Sequence, residues 1–246
     1  MAITAAALTS GSSVTDATSY ATASITPTAN LLILLLVYNR IGVAPPSVPT
    51  ATGNGLTWVK ITNIIGVTNG TNRCLTLFRA MGAAPSAGAI TIDLGGVTHT
   101  ACIWSVAEFA GIDTSGTNGS GAVVQSATQE GAASATSVTV TLAAFGDAGN
   151  GAYGGFQHNT NEVTSPGSGF TEIHDVAISE NSTGLESEWI ATNDTTVDCS
   201  WASATNTSSG VAIEIKAAAA ASNVARLTRG GILLNGGILV GGALVN

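Results

Sequence analysis

Residues Leu31-Leu32-Ile33-Leu34-Leu35-Leu36-Val37-Tyr38 form the longest unbroken apolar run in the chain. A strand turns successive side chains to opposite faces, so a run that does not alternate must be covered on both. The run is far shorter than the roughly 20 residues a membrane-spanning helix needs. It therefore reads as a central strand, with core on one side and a long loop or a neighbouring subunit on the other. The rest of the chain agrees with a sheet. Helical periodicity is almost absent. Short runs of Val, Ile, Thr and aromatics are separated by Gly, Asn, Ser and Pro, the pattern of an all-β sandwich or barrel.

Fourteen segments read as strands: 3–8, 20–26, 31–40, 56–65, 74–79, 89–94, 99–109, 122–127, 137–142, 151–158, 170–179, 185–191, 197–201 and 210–216. Several alternate cleanly. In 137–142, Val138, Val140 and Leu142 share one face and the hydroxyl residues the other. In 210–216, Val211, Ile213 and Ile215 point inward while Glu214 and Lys216 are expected to face water. Outward Thr and Ser explain how only 9% of the residues can be charged, since β-branched Thr suits a pleated surface and keeps its hydroxyl solvated. The prolines of Gly42–Pro49 make that stretch a loop, and 111–121 and 159–169 read likewise. No boundary interrupts the strand pattern, so residues 1–216 are expected to form one antiparallel β-sandwich domain.

After Lys216 the character changes. Five alanines, Ala217 to Ala221, lead to Arg226-Leu227-Thr228-Arg229 and then to a repeat of six-residue period. Gly230-Gly231-Ile232-Leu233-Leu234-Asn235 is followed by Gly236-Gly237-Ile238-Leu239-Val240-Gly241 and Gly242-Ala243-Leu244-Val245. All 15 acidic residues precede this tail, which carries two of the seven basic ones. Six glycines and Asn235 interrupt it, so it does not read as a membrane helix. Left free, so apolar a segment would aggregate. It is expected to dock on a partner, at a sheet edge or in a groove, with Arg226, Leu227, Arg229, Ile232, Leu233, Leu234, Ile238, Leu239, Val240, Leu244 and Val245 as its contacts. The plainer alternative is that it folds back on its own domain.

Charge and motifs exclude much. Seven basic residues and a formal net charge of -8 leave little for gripping phosphates, so no nucleic-acid partner is expected. Met1-Ala2-Ile3-Thr4 has no basic region, the first basic residue being Arg40, and does not read as a secretory signal. Cys74, Cys102 and Cys199 are odd in number and lie inside strands. They read as buried free thiols of a protein made in a reducing cytoplasm. No phosphate-binding Gly loop, Cys-x-x-Cys or His-x-x-x-His occurs. His99, His158 and His174 are isolated, so no metal centre and no cofactor are expected.

Three weaker patterns carry chemistry. Glu186 and Glu188 flank Ser187 and share one strand face, the residue type glycosidases pair as acid and base. The plainer reading is a wet face beside Leu185, Ser187 and Trp189. The loop Asp113 to Ser120 offers oxygen ligands that calcium favours, but without the spacing of a dedicated site, and reads as a turn. Of Trp58, Trp104, Trp189 and Trp201, the second and fourth sit in core patterns. Trp58 and Trp189 remain candidate glycan contacts. No catalytic residue is assigned, and the chain is not expected to be an enzyme.

Gly53-Asn54-Gly55-Leu56-Thr57-Trp58-Val59, then Leu75-Thr76-Leu77-Phe78-Arg79-Ala80, Gly88-Ala89-Ile90-Thr91-Ile92 and Trp104-Ser105-Val106-Ala107-Glu108-Phe109-Ala110-Gly111-Ile112-Asp113 occur in that order. This order resembles a jelly-roll-like β-sandwich family of bacteriophage and prophage virion proteins and some bacterial surface proteins. It covers the first half well and the second loosely. The resemblance implies a virion structural protein made in the host cytoplasm, partnered by capsid or tail and fibre subunits, and no catalytic residues. A capsid decoration or cement protein, forming a homo-oligomer such as a trimer, is the expectation. A receptor-binding module of a tail or head fibre is the alternative.

Overall fold

The structure, a computed structural model, describes residues 2–42, 45–66 and 71–219, and the backbone of 227–228, 231–234 and 237–239. It is all-β and antiparallel. The first half holds β1 (Thr4–Ser13), β2 (Ser19–Ala21), β3 (Leu32–Arg40), β4 (Thr50–Gly53), β5 (Val59–Ile65), β6 (Arg73–Ala80), β7 (Ile90–Asp93) and β8 (Ala101–Ala110). The second holds β9 (Val123–Glu130), β10 (Ala135–Thr141), β11 (Gly151–His158), β12 (Ser165–Pro166), β13 (Thr171–Ile178), β14 (Thr183–Ile190), β15 (Thr196–Thr205) and β16 (Ser208–Ile215). Three short strands follow: β17 (Leu227–Thr228), β18 (Gly231–Leu234) and β19 (Gly237–Leu239).

The two halves repeat one topology. The larger sheet of the first is ordered β1-β8-β3-β6-β5 and that of the second β9-β16-β11-β14-β13. The smaller sheets are β2-β7-β4 and β10-β15-β12. Adding eight to every label of the first half reproduces the second. Each unit is a jelly-roll-like sandwich whose fifth strand has moved to the edge of the larger sheet. Residues 1–216, which read as uninterrupted in sequence, are thus two eight-strand units about one shared core.

The layers are small sheet, large sheet, large sheet, small sheet. The central core joins the units: Leu34, Leu36 and Tyr38 of β3, Leu75 and Leu77 of β6 and Phe109 of β8 pack with Tyr153, Leu185, Val211, Ile213 and Ile215. Along the sides, β1 lies against β13 and β5 against β9. On the outer face of the first unit, Ile33, Leu35, Val37, Phe78 and Trp104 pack with Tyr20, Ile90 and Ile92. The double cover expected of Leu31–Tyr38 is therefore supplied inside the chain, by the other unit on one face and the small sheet on the other. The second unit has its own outer core, where Ala152, Phe156 and Ala212 meet Val138, Val140, Val197 and Cys199.

One polar expectation fails here. Glu214 does not reach water: it is 1% exposed, and accepts hydrogen bonds from Asn150 Nδ2 and Gln125 Nε2, both at 2.6 Å. The second small sheet turns its outward face into a second interior. Lys216 is exposed as expected and pairs with Asp113 at 2.7 Å.

Candidate functional site

The densest chemistry lies on the outer face of β14. Glu186 and Glu188 share that face, as alternation requires, but it is not wet. Both side chains are 0% exposed, which corrects the reading of a solvated strand. The cover is the segment around β12, an edge strand short enough to read as loop, with Pro166 where an edge tolerates it. Gly167 N–H donates to Glu188 Oε2 at 2.7 Å. Among the described residues, Glu188 Oε1 and both oxygens of Glu186 have no hydrogen-bond partner. Burial pushes Glu188 up to about 8, with Asp198 and Asp194 adding to it against the Gly167 bond. Burial, then Glu188, Glu172 and Asp175, hold Glu186 well above the ordinary carboxylate range. Such a pair is sealed from a polysaccharide, so it does not offer glycosidase geometry in this conformation.

A second polar cluster crosses the central interface. Ser105 Oγ lies 2.9 Å from His174 Nδ1 and 2.7 Å from Ser187 Oγ. Ser105 and Ser187 are buried, and burial lowers the His174 pKa. The chain ties β8 of one unit to β13 and β14 of the other. At one end of the sandwich, Arg73 donates to Tyr38 and to Asn159, and Arg40 to Asn181. These contacts satisfy polar groups inside the interface. Sequence spacing gives no signal for them, because their members are 35 to 141 residues apart.

The remaining candidates separate. Trp189 is half-buried, its ring edge-on to Phe109 at 6.2 Å, so it serves the central core and is no free glycan platform. Trp58 is half-buried and lines a shallow depression of about 300 Å³ with Pro49, Lys60 and Phe78. Trp104 and Trp201 are buried. Asp113 is occupied by Lys216 and by the Ser115 N–H, which hold its carboxyl down at about 2. Cys74, Cys102 and Cys199 are free and buried. Burial pushes the Cys74 thiol up to about 11, the profile of inert thiols. Among the described residues no three His, Cys, Asp or Glu side chains are arranged to hold a metal ion.

Of the tail contacts, Leu227, Ile232, Leu233, Leu234, Ile238 and Leu239 lie on β17–β19. Arg226, Arg229, Val240, Leu244 and Val245 fall outside the described residues. β18 pairs with β17 through Ile232 and Leu227, and with β19 through Ile232 and Leu239. These strands form their own sheet, apart from the four of the sandwich. No protein-family model matches the chain, and no curated protein or solved structure matches it either.

Proposed function

We propose that the chain is a non-enzymatic structural protein of a bacteriophage particle, a capsid decoration or cement protein that assembles through residues 217–246. The observation that carries this reading is the separate sheet β17-β18-β19. Its strands have 2, 4 and 3 residues, too few to be stable on their own in water. Among the described residues, the outer sides of β17 and β19 pair with no further strand, which leaves edge backbone groups open to another chain. In sequence, Ile232-Leu233-Leu234 leaves a strand no polar side to turn to water. A neighbouring copy or capsid subunit that completes this sheet would satisfy both needs at once. Repetition by closed symmetry, as in a trimer, would multiply the contact.

The test compares the full chain with one ending at Ala219, which keeps β1–β16. The full chain is expected to form a discrete oligomer in solution and to bind capsid shells in hundreds of copies. The shortened chain is expected to remain a monomer of unchanged melting temperature that leaves shells bare. Normal assembly by the shortened chain would overturn the proposal.

The alternative, a receptor-binding module of a fibre, is favoured by one observation: Trp58 and Lys60 together in an open depression. That reading expects few copies per particle and glycan binding reduced about tenfold or more by Trp58→Ala. Glycan binding untouched by that change removes it.

A further inference from the structure

The acids around Glu186 and Glu188 are placed by strand register. On β13, Asp175 stands opposite Glu186 and Glu172 opposite Glu188. On β11, Phe156 stands opposite Glu186 and Gly154 opposite Glu188. Directly paired residues share a face, so four carboxyl groups occupy one side of two neighbouring strands, where like charges repel. From the covering layer come Cys199 of β15, a buried thiol held neutral, with Asp198 beside it and Asp194 just before that strand; the two aspartates raise Glu188 further. His158 of β11 shares the layer, but it stacks on Trp201 and bonds Thr160 and Thr164. Burial lowers it to about 4, so it brings no positive charge near neutrality. Of the described basic residues, Arg40, Lys60, Arg73 and Arg79 belong to the first unit and Lys216 pairs with Asp113.

A carboxylate cannot stay ionised when it is dry and has no cation. Two of these acids also hold the cover. Asp175 Oδ2 accepts the Thr164 N–H at 2.8 Å, and Glu188 Oε2 the Gly167 N–H at 2.7 Å. Space is tight as well: a Cβ on Gly154 would lie 3.1 Å from Glu188 Oε1. We infer that Glu186 and Glu188 are held as neutral carboxylic acids and act as a proton-dependent latch, over which the Thr164–Gly167 segment closes only while both carry protons. Losing the protons places two negative charges on one strand face, against Glu172 and Asp175. The segment then lifts and admits water. This latch stands apart from the assembly role.

The sign follows from proton counting. In the folded protein each Glu keeps a proton that the unfolded chain, titrating near 4.5, has lost at pH 7. Unfolding therefore releases protons, and stability falls as pH rises from that value through the folded one. The window from pH 7 to 8 isolates the pair: unfolded histidines are already largely neutral and unfolded thiols still largely protonated.

Urea unfolding is followed at pH 7.0, 7.5 and 8.0 for the wild-type chain and for the Glu186→Gln/Glu188→Gln double variant, whose amides are neutral at every pH. The wild-type unfolding constant is expected to rise about 5- to 50-fold across the window, because Glu188 itself begins to lose its proton near 8, and that of the variant to stay within about twofold. Calorimetry in two buffers of different ionisation enthalpy should count about one to two protons released by the wild type at pH 7. A pH-independent wild type that releases no protons overturns the inference. So does a stability that Ca2+ or Mg2+ raises and a chelator removes, because a cation would then neutralise the pair. If the double variant does not fold, the wild-type proton count and the single Glu188→Gln chain, with its slope reduced by about one proton, decide the matter.

Discussion

Phe109→Ala is expected to lower the unfolding free energy by about 3–5 kcal/mol, the range for deleting a buried aromatic ring. Phe109 is fully buried and belongs to the core shared by the two units. Its ring meets Tyr153 edge-on at 6.0 Å and Trp189 at 6.2 Å, and such aromatic pairs are worth about 0.5–1.5 kcal/mol beyond buried area. Both partners belong to the second unit while Phe109 belongs to the first. The loss therefore falls on the seam, and the two units should still unfold in one transition, earlier in urea. Val163→Ala, at a residue 77% exposed, is the control and should change stability by less than about 0.5 kcal/mol. A Phe109→Ala chain within about 1 kcal/mol of wild type would mean that the seam has little cohesion of its own.

Much of this architecture is legible in sequence. The fourteen expected strands correspond to fourteen of β1–β16, with 151–158 matching at both ends. Local alternation and turn residues suffice because they are local. Two strands escape. β4 has four residues after a proline-rich loop, and β12 has two, one of them a proline. The segment around β12 decides the environment of the two glutamates. Alternation correctly places Glu186 and Glu188 on one face, but whether that face is wet depends on what lies above it. The cover comes from a segment that looks like loop. Glu214 is misread for the same reason, since the covering sheet is recruited from distant sequence.

The internal repeat is illegible for a different reason. The units are similar in topology but complementary in chemistry where they touch. β3 presents Leu-Ile-Leu-Leu-Leu-Val, while the equivalent β11 reads Gly-Ala-Tyr-Gly-Gly-Phe. One strand supplies bulk and its counterpart supplies room, so the two equivalent strands share no residue pattern. Burial of β11 is nonetheless complete along its length.

That complementarity can be measured at Gly155 and Leu36. A Cβ on Gly155 would lie 2.6 Å from Leu36 Cδ2 and 2.7 Å from Cδ1, against an ordinary carbon separation of about 3.5–4.0 Å. A flexible side chain normally yields to such an intrusion. Leu36 is fully buried between the two large sheets, so its methyl groups have no solvent to swing into. Gly155→Ala should therefore cost about 1–3 kcal/mol by overpacking. Leu36→Ala should cost about 2–5 kcal/mol through lost burial and the cavity left behind. Together the changes should not add. The new methyl group enters the space that Leu36 vacates, and the double variant should be about 1–2 kcal/mol more stable than the sum predicts, within the range for residues in contact. Urea titrations of the four chains give this coupling directly. Agreement of the double variant with the sum to within about 0.5 kcal/mol would mean that the glycine is not the socket for the leucine, and that the seam is held by its polar clasps instead.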